Sequence, residues 1–193
     1  MKKCLLILFA VTLFISCKKS SPSYWFTGMQ IIDTNYNLVK WVGQKDDDWQ
    51  INKYTLAEQQ LYAMAIDSFS DTAFWNHTSA GTVTIHPGIS PVAYDTGSVY
   101  YQFNSINFGC SCYFSLMVVD QYFNTLVKQN YNISSGSYLP ALVSIPSSKI
   151  LPGQVYRIYY ACSATGNPYF ATGWGDFGVC SMVTTTGQVS SCF

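Results

Sequence analysis

Five cysteines in the body of the chain, Cys110, Cys112, Cys162, Cys180 and Cys192, are the residues most able to do chemistry. A nucleophilic thiol needs an imidazole beside it and a third group to orient that imidazole. His77 and His86 are the two histidines of the chain, and no Asn or Asp orienter can be assigned. Cys110 and Cys112 share the apolar face of an alternating segment, where a thiol is inert. A structural metal centre asks for clustered Cys and His ligands. No Cys-x-x-Cys pair occurs, so neither a metal nor another cofactor is expected. Glycoside hydrolysis asks for two facing carboxylates. Glu58 is the sole glutamate, and the aspartates are scattered through turns. Gly173-Trp174-Gly175-Asp176-Phe177-Gly178 has the glycines of a phosphate loop but no Lys and no helix after it. No catalytic residue follows from these patterns, and the chain is read as a non-enzyme. The cysteines then read as disulfides of an oxidising compartment, with one left over.

A binding site is the better expectation. The segment 163–178 holds Asn167, Tyr169, Phe170, Trp174 and Asp176. Aromatic rings with amide and carboxylate neighbours on a loop suit sugar faces or a protein partner. Asn167, Tyr169, Trp174 and Asp176 are therefore the candidate ligand-binding residues. The competing reading puts Trp174 and Phe177 in the core, with the glycines making a bulge. Lys45-Asp46-Asp47-Asp48 is the densest charge run. It lacks the oxygen spacing and glycine of a calcium loop, so a solvated turn is expected.

The elements that must hold these residues are mainly strands. Ile150 to Cys162 is the organising stretch. Pro152-Gly153 turns the chain, and strict alternation then places Tyr156, Ile158, Tyr160 and Cys162 on one face. Val155, Arg157, Tyr159 and Ala161 fall on the other, as in a central strand. Runs on either side of Asp33-Thr34-Asn35 predict a hairpin. Thr55 and Glu58 form a capping box for a helix of about three turns, with Ala57, Leu61, Met64 and Ala65 on one side. From Gly81 onward seven short strands are expected, at Val83–Ile85, Val99–Phe103, Phe108–Val118, Thr125–Gln129, Leu142–Ile145, Val155–Cys162 and Gly175–Cys180. Their spacing predicts a Greek-key β-sandwich.

Ile150-x-Pro-Gly-x-x-Tyr156 resembles the tyrosine corner of fibronectin type III and related immunoglobulin-like domains, in which the Tyr hydroxyl bonds backbone upstream of the corner. The resemblance spans roughly residues 81–180. It implies an immunoglobulin-like sandwich in which 163–178 joins the last two strands at one pole, beside Asn104 and Asn107. Val183 to Val189 reads as a hairpin centred on Thr186, which sets Cys180 opposite Cys192 and close enough to bridge. Parity places Cys162 on the inward face with Cys110 and Cys112, so one of those two is its expected partner.

The N-terminus carries an address. Met1-Lys2-Lys3 is basic, and Cys4 to Ile15 is apolar but shorter than the about 20 residues a membrane-spanning helix needs. Leu13-Phe14-Ile15-Ser16-Cys17 resembles the lipobox of bacterial lipoproteins, which implies cleavage before Cys17 and its acylation. Lys18, in place of the Asp that retains such proteins in the inner membrane, implies the outer membrane, facing the periplasm or the cell surface. The expected divisions are a signal peptide at 1–16, a lipidated tether at 17–23, a hairpin and helix at 24–80, and the sandwich with its C-terminal hairpin at 81–193. Only 10% of residues are charged and the formal net charge is zero, so no basic field exists to attract nucleic acid. The partners expected are a membrane, through the lipid, and a glycan or a protein.

Overall fold

The computed structural model describes residues 26–46, 48–50, 56, 58, 61, 83–109, 112–134, 138–139, 142–164, 170–181 and 192–193. The protein is mainly β. β1 (Gly28–Ile32) and β2 (Leu38–Gly43) form the expected hairpin. β3 (Val83–His86) and β4 (Val92–Ala93) follow, then β5 (Ser98–Gln102), β6 (Ser105–Phe108), β7 (Cys112–Val119) and β8 (Thr125–Ile133). β9 (Tyr138–Leu139), β10 (Leu142–Pro146), a 3-10 turn at Ser147–Lys149, β11 (Gln154–Ala164) and β12 (Phe170–Cys180) complete the order.

One five-stranded sheet runs β4-β12-β11-β7-β8, with β4 parallel to β12 and the other pairs antiparallel. β5 pairs with β10, and β6 lies between β3 and β9. Apolar side chains of these smaller sheets, among them Val99, Tyr101, Ile106 and Val143, meet Phe114, Leu116, Ile158 and Phe177 of the large sheet in one buried cluster. The sheets thus share one buried core.

β11 is central, between β12 and β7, and is buried on both faces. Tyr156, Ile158 and Tyr160 point into the shared core, while Val155, Arg157, Tyr159 and Ala161 are buried beneath other parts of the chain. β1 supplies part of that cover, since Met29 and Ile31 pack with Val155. The corner before β11 is built as expected. Gly153 takes φ 76°, which a Cβ would oppose. The Tyr156 hydroxyl accepts a hydrogen bond from the Leu151 N–H at 2.7 Å.

Four expectations change. The segment 108–118 is not one strand: Phe108 ends β6 and Cys112 begins β7, in different sheets, although both sides of the break keep the same inward parity. β12 begins at Phe170, so Trp174 and Asp176 stand in the middle of a strand rather than in a loop. β12 pairs with β11 without a register shift, so its glycines make no bulge. Asp48 is 2% exposed, so it leaves the solvated turn expected for the charge run, whose Lys45 is exposed. Leu56, Glu58 and Leu61 are helical. The rest of the expected helix, the N-terminal segment 1–23 and the hairpin at 183–189 lie outside the described residues.

Cys180 and Cys192 form the expected disulfide, with Cα atoms 5.9 Å apart. The register sets Cys162 opposite Phe114 and Cys112 opposite Ala164. Cys162 is buried, and the bridge expected for it falls on Cys110 or the Cys112 side chain, which lie outside the described residues. No described helix is long and apolar enough to cross a membrane.

Candidate functional site

Of the four candidate ligand-binding residues, Asn167 and Tyr169 lie outside the described residues. Trp174 and Asp176 are brought together, Asp176 buried and Trp174 half-buried. Register places Asp176 opposite Arg157 and Trp174 opposite Tyr159 on the β11–β12 ribbon. Arg157 donates Nε–H and Nη2–H to the two Asp176 carboxylate oxygens, each at 2.8 Å. Its guanidinium also lies 3.7 Å from the centroid of the Trp174 ring, a stacked cation–π contact. Arg157 is 4% exposed and Asp176 is fully buried. The fork geometry of guanidinium on carboxylate is what makes such a pair tolerable away from water.

A strap formed by Asp48, Trp49 and Gln50 seals the cluster. The Asp176 N–H donates to Asp48 Oδ1 at 2.6 Å, and the Trp49 N–H donates to the Trp174 carbonyl at 2.9 Å. Gln30 Nε2 donates to the Asp48 carbonyl, and the Tyr160 hydroxyl donates to the Gln50 carbonyl. Trp49 takes φ 63° and turns its ring into the core, stacked 5.5 Å from Tyr101. Here the glycines of β12 find their reason. A Cβ at Gly175 would overlap the Trp49 ring, and one at Gly173 would meet the Tyr160 hydroxyl and the Gln50 carbonyl. On the other side of the cluster the Tyr159 hydroxyl donates to Glu58 Oε1 at 3.0 Å.

Burial pushes the Asp48 carboxyl well above its ordinary value, and the Asp176 charge pushes it the same way. Burial also raises Asp176, to about 6, against the hydrogen bonds and charge of Arg157. Burial works against the Arg157 charge, but Asp176 more than offsets it, so the guanidinium stays protonated. Tyr159 is raised by burial as well, so its hydroxyl is neutral and a donor. Asp48 Oδ2 is buried with no hydrogen-bond partner, which adds to the cost of its charged form. This arrangement is a closed polar core. A carboxylate that water does not reach cannot exchange protons with a substrate, so the pair does no acid–base chemistry in this state.

No sequence pattern points to two surface clefts found among the described residues. One, of about 270 Å³, surrounds the corner before β11 and is lined by Asp120, Tyr122, Lys149 and Tyr156 among others. Its charged groups are committed: Asp120 accepts from the N–H groups of Tyr122 and Asn124, and Lys149 Nζ donates to the Leu126 carbonyl. The other, of about 280 Å³, lies between the β1–β2 turn and the β5–β10 pair. No group of three or more metal-ligating side chains is found among the described residues.

No family model matches the chain, and no curated protein matches it. Among solved structures it is similar to a β-glucuronidase from glycoside hydrolase family 2, at 13% identity and a TM-score of 0.33, over 53% of this chain and 11% of that one. It is also similar to the sensor domain of the anti-sigma factor RsgI4 in Pseudobacteroides cellulosolvens, at 17% identity and a TM-score of 0.32, over 57% of this chain and 84% of that one. The chain thus spans a small part of the first and most of the second.

Proposed function

We propose that the protein is a membrane-tethered envelope lipoprotein whose immunoglobulin-like, fibronectin type III-like sandwich is a noncatalytic binding or structural module. The observation that carries the noncatalytic reading is the sealed cluster. The charged residues best placed to do chemistry, Arg157 and Asp176, are locked to each other, to Trp174 and to the Asp48 strap. Their work is to hold a strap across the β11–β12 ribbon. The sheet order β4-β12-β11-β7-β8, opposed by β5 paired with β10, supports the immunoglobulin-like reading, as does the hydrogen bond between the Tyr156 hydroxyl and the Leu151 N–H. The tether rests on Met1-Lys2-Lys3, the apolar run to Ile15 and Ser16-Cys17. Acylation at Cys17 and an outer-membrane address follow from that reading, since two or more acyl chains make a stable anchor.

Mass spectrometry of the N-terminal peptide from membrane-extracted protein tests it. A mature chain beginning at an acylated Cys17 is expected, and Cys17→Ala is expected to move the protein out of the membrane fraction. An unmodified N-terminus at any other residue overturns the tether.

A further inference from the structure

We propose that the cleft between the β1–β2 turn and the β5–β10 pair binds a neutral saccharide. The inference rests on the binding reading above and supplies its ligand class, at a place the sequence did not single out. Two walls form the cleft. One presents Tyr36 from the turn, 40% exposed; the other presents Tyr100 of β5, 51% exposed, with Gln102 and Leu142 beside it. Tyr100 and Gln102 share the outward face of β5, and Leu142 of β10 sits directly across from Gln102. Thr34 and the buried Pro91 complete the lining that matters here.

The walls are fixed before any ligand arrives. Asp33 Oδ1 accepts from the N–H groups of Asn35 and Asn37, both at 2.9 Å, which locks the turn. That turn holds Tyr36 at φ 61°, a left-handed conformation that an aromatic residue adopts only when its surroundings impose it. Ile32 and Ser90 exchange both backbone hydrogen bonds, which ties the hairpin to the floor of the cleft. A rigid aromatic wall loses little conformational freedom on binding.

The chemistry of the lining selects the ligand. None of the lining residues carries a charge, which disfavours anions, cations and nucleic acid. Two exposed tyrosine rings offer flat apolar faces with polar tips, and the Gln102 amide and the Thr34 hydroxyl belong to the same lining. A pyranose has the same two-sided character, with a C–H face that packs on a ring and a rim of hydroxyls that exchange hydrogen bonds. A purely apolar ligand would leave Gln102 and Thr34 unmatched. The volume, about 280 Å³, is at the low end for ligand sites and suits a short saccharide rather than a deeply enclosed cofactor.

The test is titration of the full-length protein in detergent with neutral gluco-, xylo- and N-acetylglucosamine oligosaccharides, read by calorimetry and by intrinsic fluorescence. At least one series is expected to bind, and Tyr100→Ala to weaken that binding tenfold or more. Tyr36→Asn keeps a residue that tolerates the left-handed turn but removes the ring; it is expected to lose binding to a similar extent without a fall in melting temperature. Tyr122→Ala, at an exposed tyrosine outside the cleft, is expected to bind as wild type. The inference is overturned if none of the three series binds, if an anionic oligosaccharide or a peptide binds in their place, or if binding survives both cleft variants. Chromatography of the recovered ligand separates the two readings: cleavage would remove the noncatalytic function while leaving the site, and loss of binding would remove the site while leaving the tether at Cys17.

Discussion

The β11–β12 ribbon is buried on both faces, and the two faces are held by opposite means. Inward, Tyr156, Ile158, Tyr160 and Phe177 form an aromatic and aliphatic core in which contact area does the work. Outward, Arg157, Tyr159, Trp174 and Asp176 form an ionic and cation–π cluster under the Asp48 strap. The inner face can lose a methylene and relax. The outer face cannot lose one charge without stranding the other. The difference teaches that burial alone does not say how a face responds to change; the pairing of its polar groups does.

The largest effect should come from breaking the outer pair. Asp176→Ala leaves the buried Arg157 guanidinium without its carboxylate, for which about 3–5 kcal/mol of destabilisation is expected in denaturant unfolding. Replacing both partners with apolar residues, Asp176→Leu with Arg157→Met, should recover much of that loss, because neither charge then remains. If the single variant loses under about 1 kcal/mol, the face is wet and the contrast with the inner face fails.

Much of the inner face was legible in the sequence. Period-2 alternation from Val155 to Cys162 placed Tyr156, Ile158 and Tyr160 correctly, because a side chain's face in a strand depends only on local parity. Pro152-Gly153 and the Cys180–Cys192 bridge were legible for similar reasons: each depends on residues near in sequence. The outer face was not. Parity groups Arg157 with Tyr159 but cannot say whether solvent or another segment covers them. The cover comes from Asp48 and Trp49, more than a hundred residues upstream, and Asp46-Asp47-Asp48 has the composition of a solvated turn. The break between Phe108 and Cys112 was hidden because a chain can change sheets while keeping its inward parity. The tyrosine-walled cleft was hidden because Tyr36 and Tyr100 lie far apart in sequence and line one cleft only once the β1–β2 hairpin docks, in part through the Ile32–Ser90 link.

An intermediate effect should come from the strap. Asp48 faces Asp176, Asp46, Tyr101 and Tyr160, and its carboxyl is raised well above the ordinary 3.8 by burial first and by Asp176 second. The folded state therefore binds this proton more tightly than the unfolded chain does. The contribution of Asp48 is fully present below about pH 4 and is lost as pH rises through the folded value; Asp176, raised to about 6, adds to the same trend. Asp48→Asn keeps an oxygen for the Asp176 N–H and cannot ionise. It should flatten the fall of melting temperature between pH 5 and pH 8 and should be at least as stable as wild type at the alkaline end. A steeper fall in the variant would mean that Asp48 is charged in the folded protein.

The smallest effect belongs to the inner face's own polar contact, at the corner before β11. Tyr156 is 4% exposed, and its ring packs 5.9 Å from Phe177. Its hydroxyl is kept neutral, mainly by burial, and accepts from the Leu151 N–H at 2.7 Å. Tyr156→Phe keeps the ring and removes that acceptor together with the longer hydroxyl donation to the Leu151 carbonyl, at 3.4 Å. Leu151 is 66% exposed, so water can reach the N–H that is left behind. The expected loss is accordingly about 0.5–1.5 kcal/mol, well below that of the outer pair. Tyr156→Ala should instead approach the cost of a large core truncation, about 3–5 kcal/mol, because the ring belongs to the inner core. If Phe and Ala cost the same, the hydroxyl rather than the ring holds the corner, and the inner face would share the all-or-none character of the outer one.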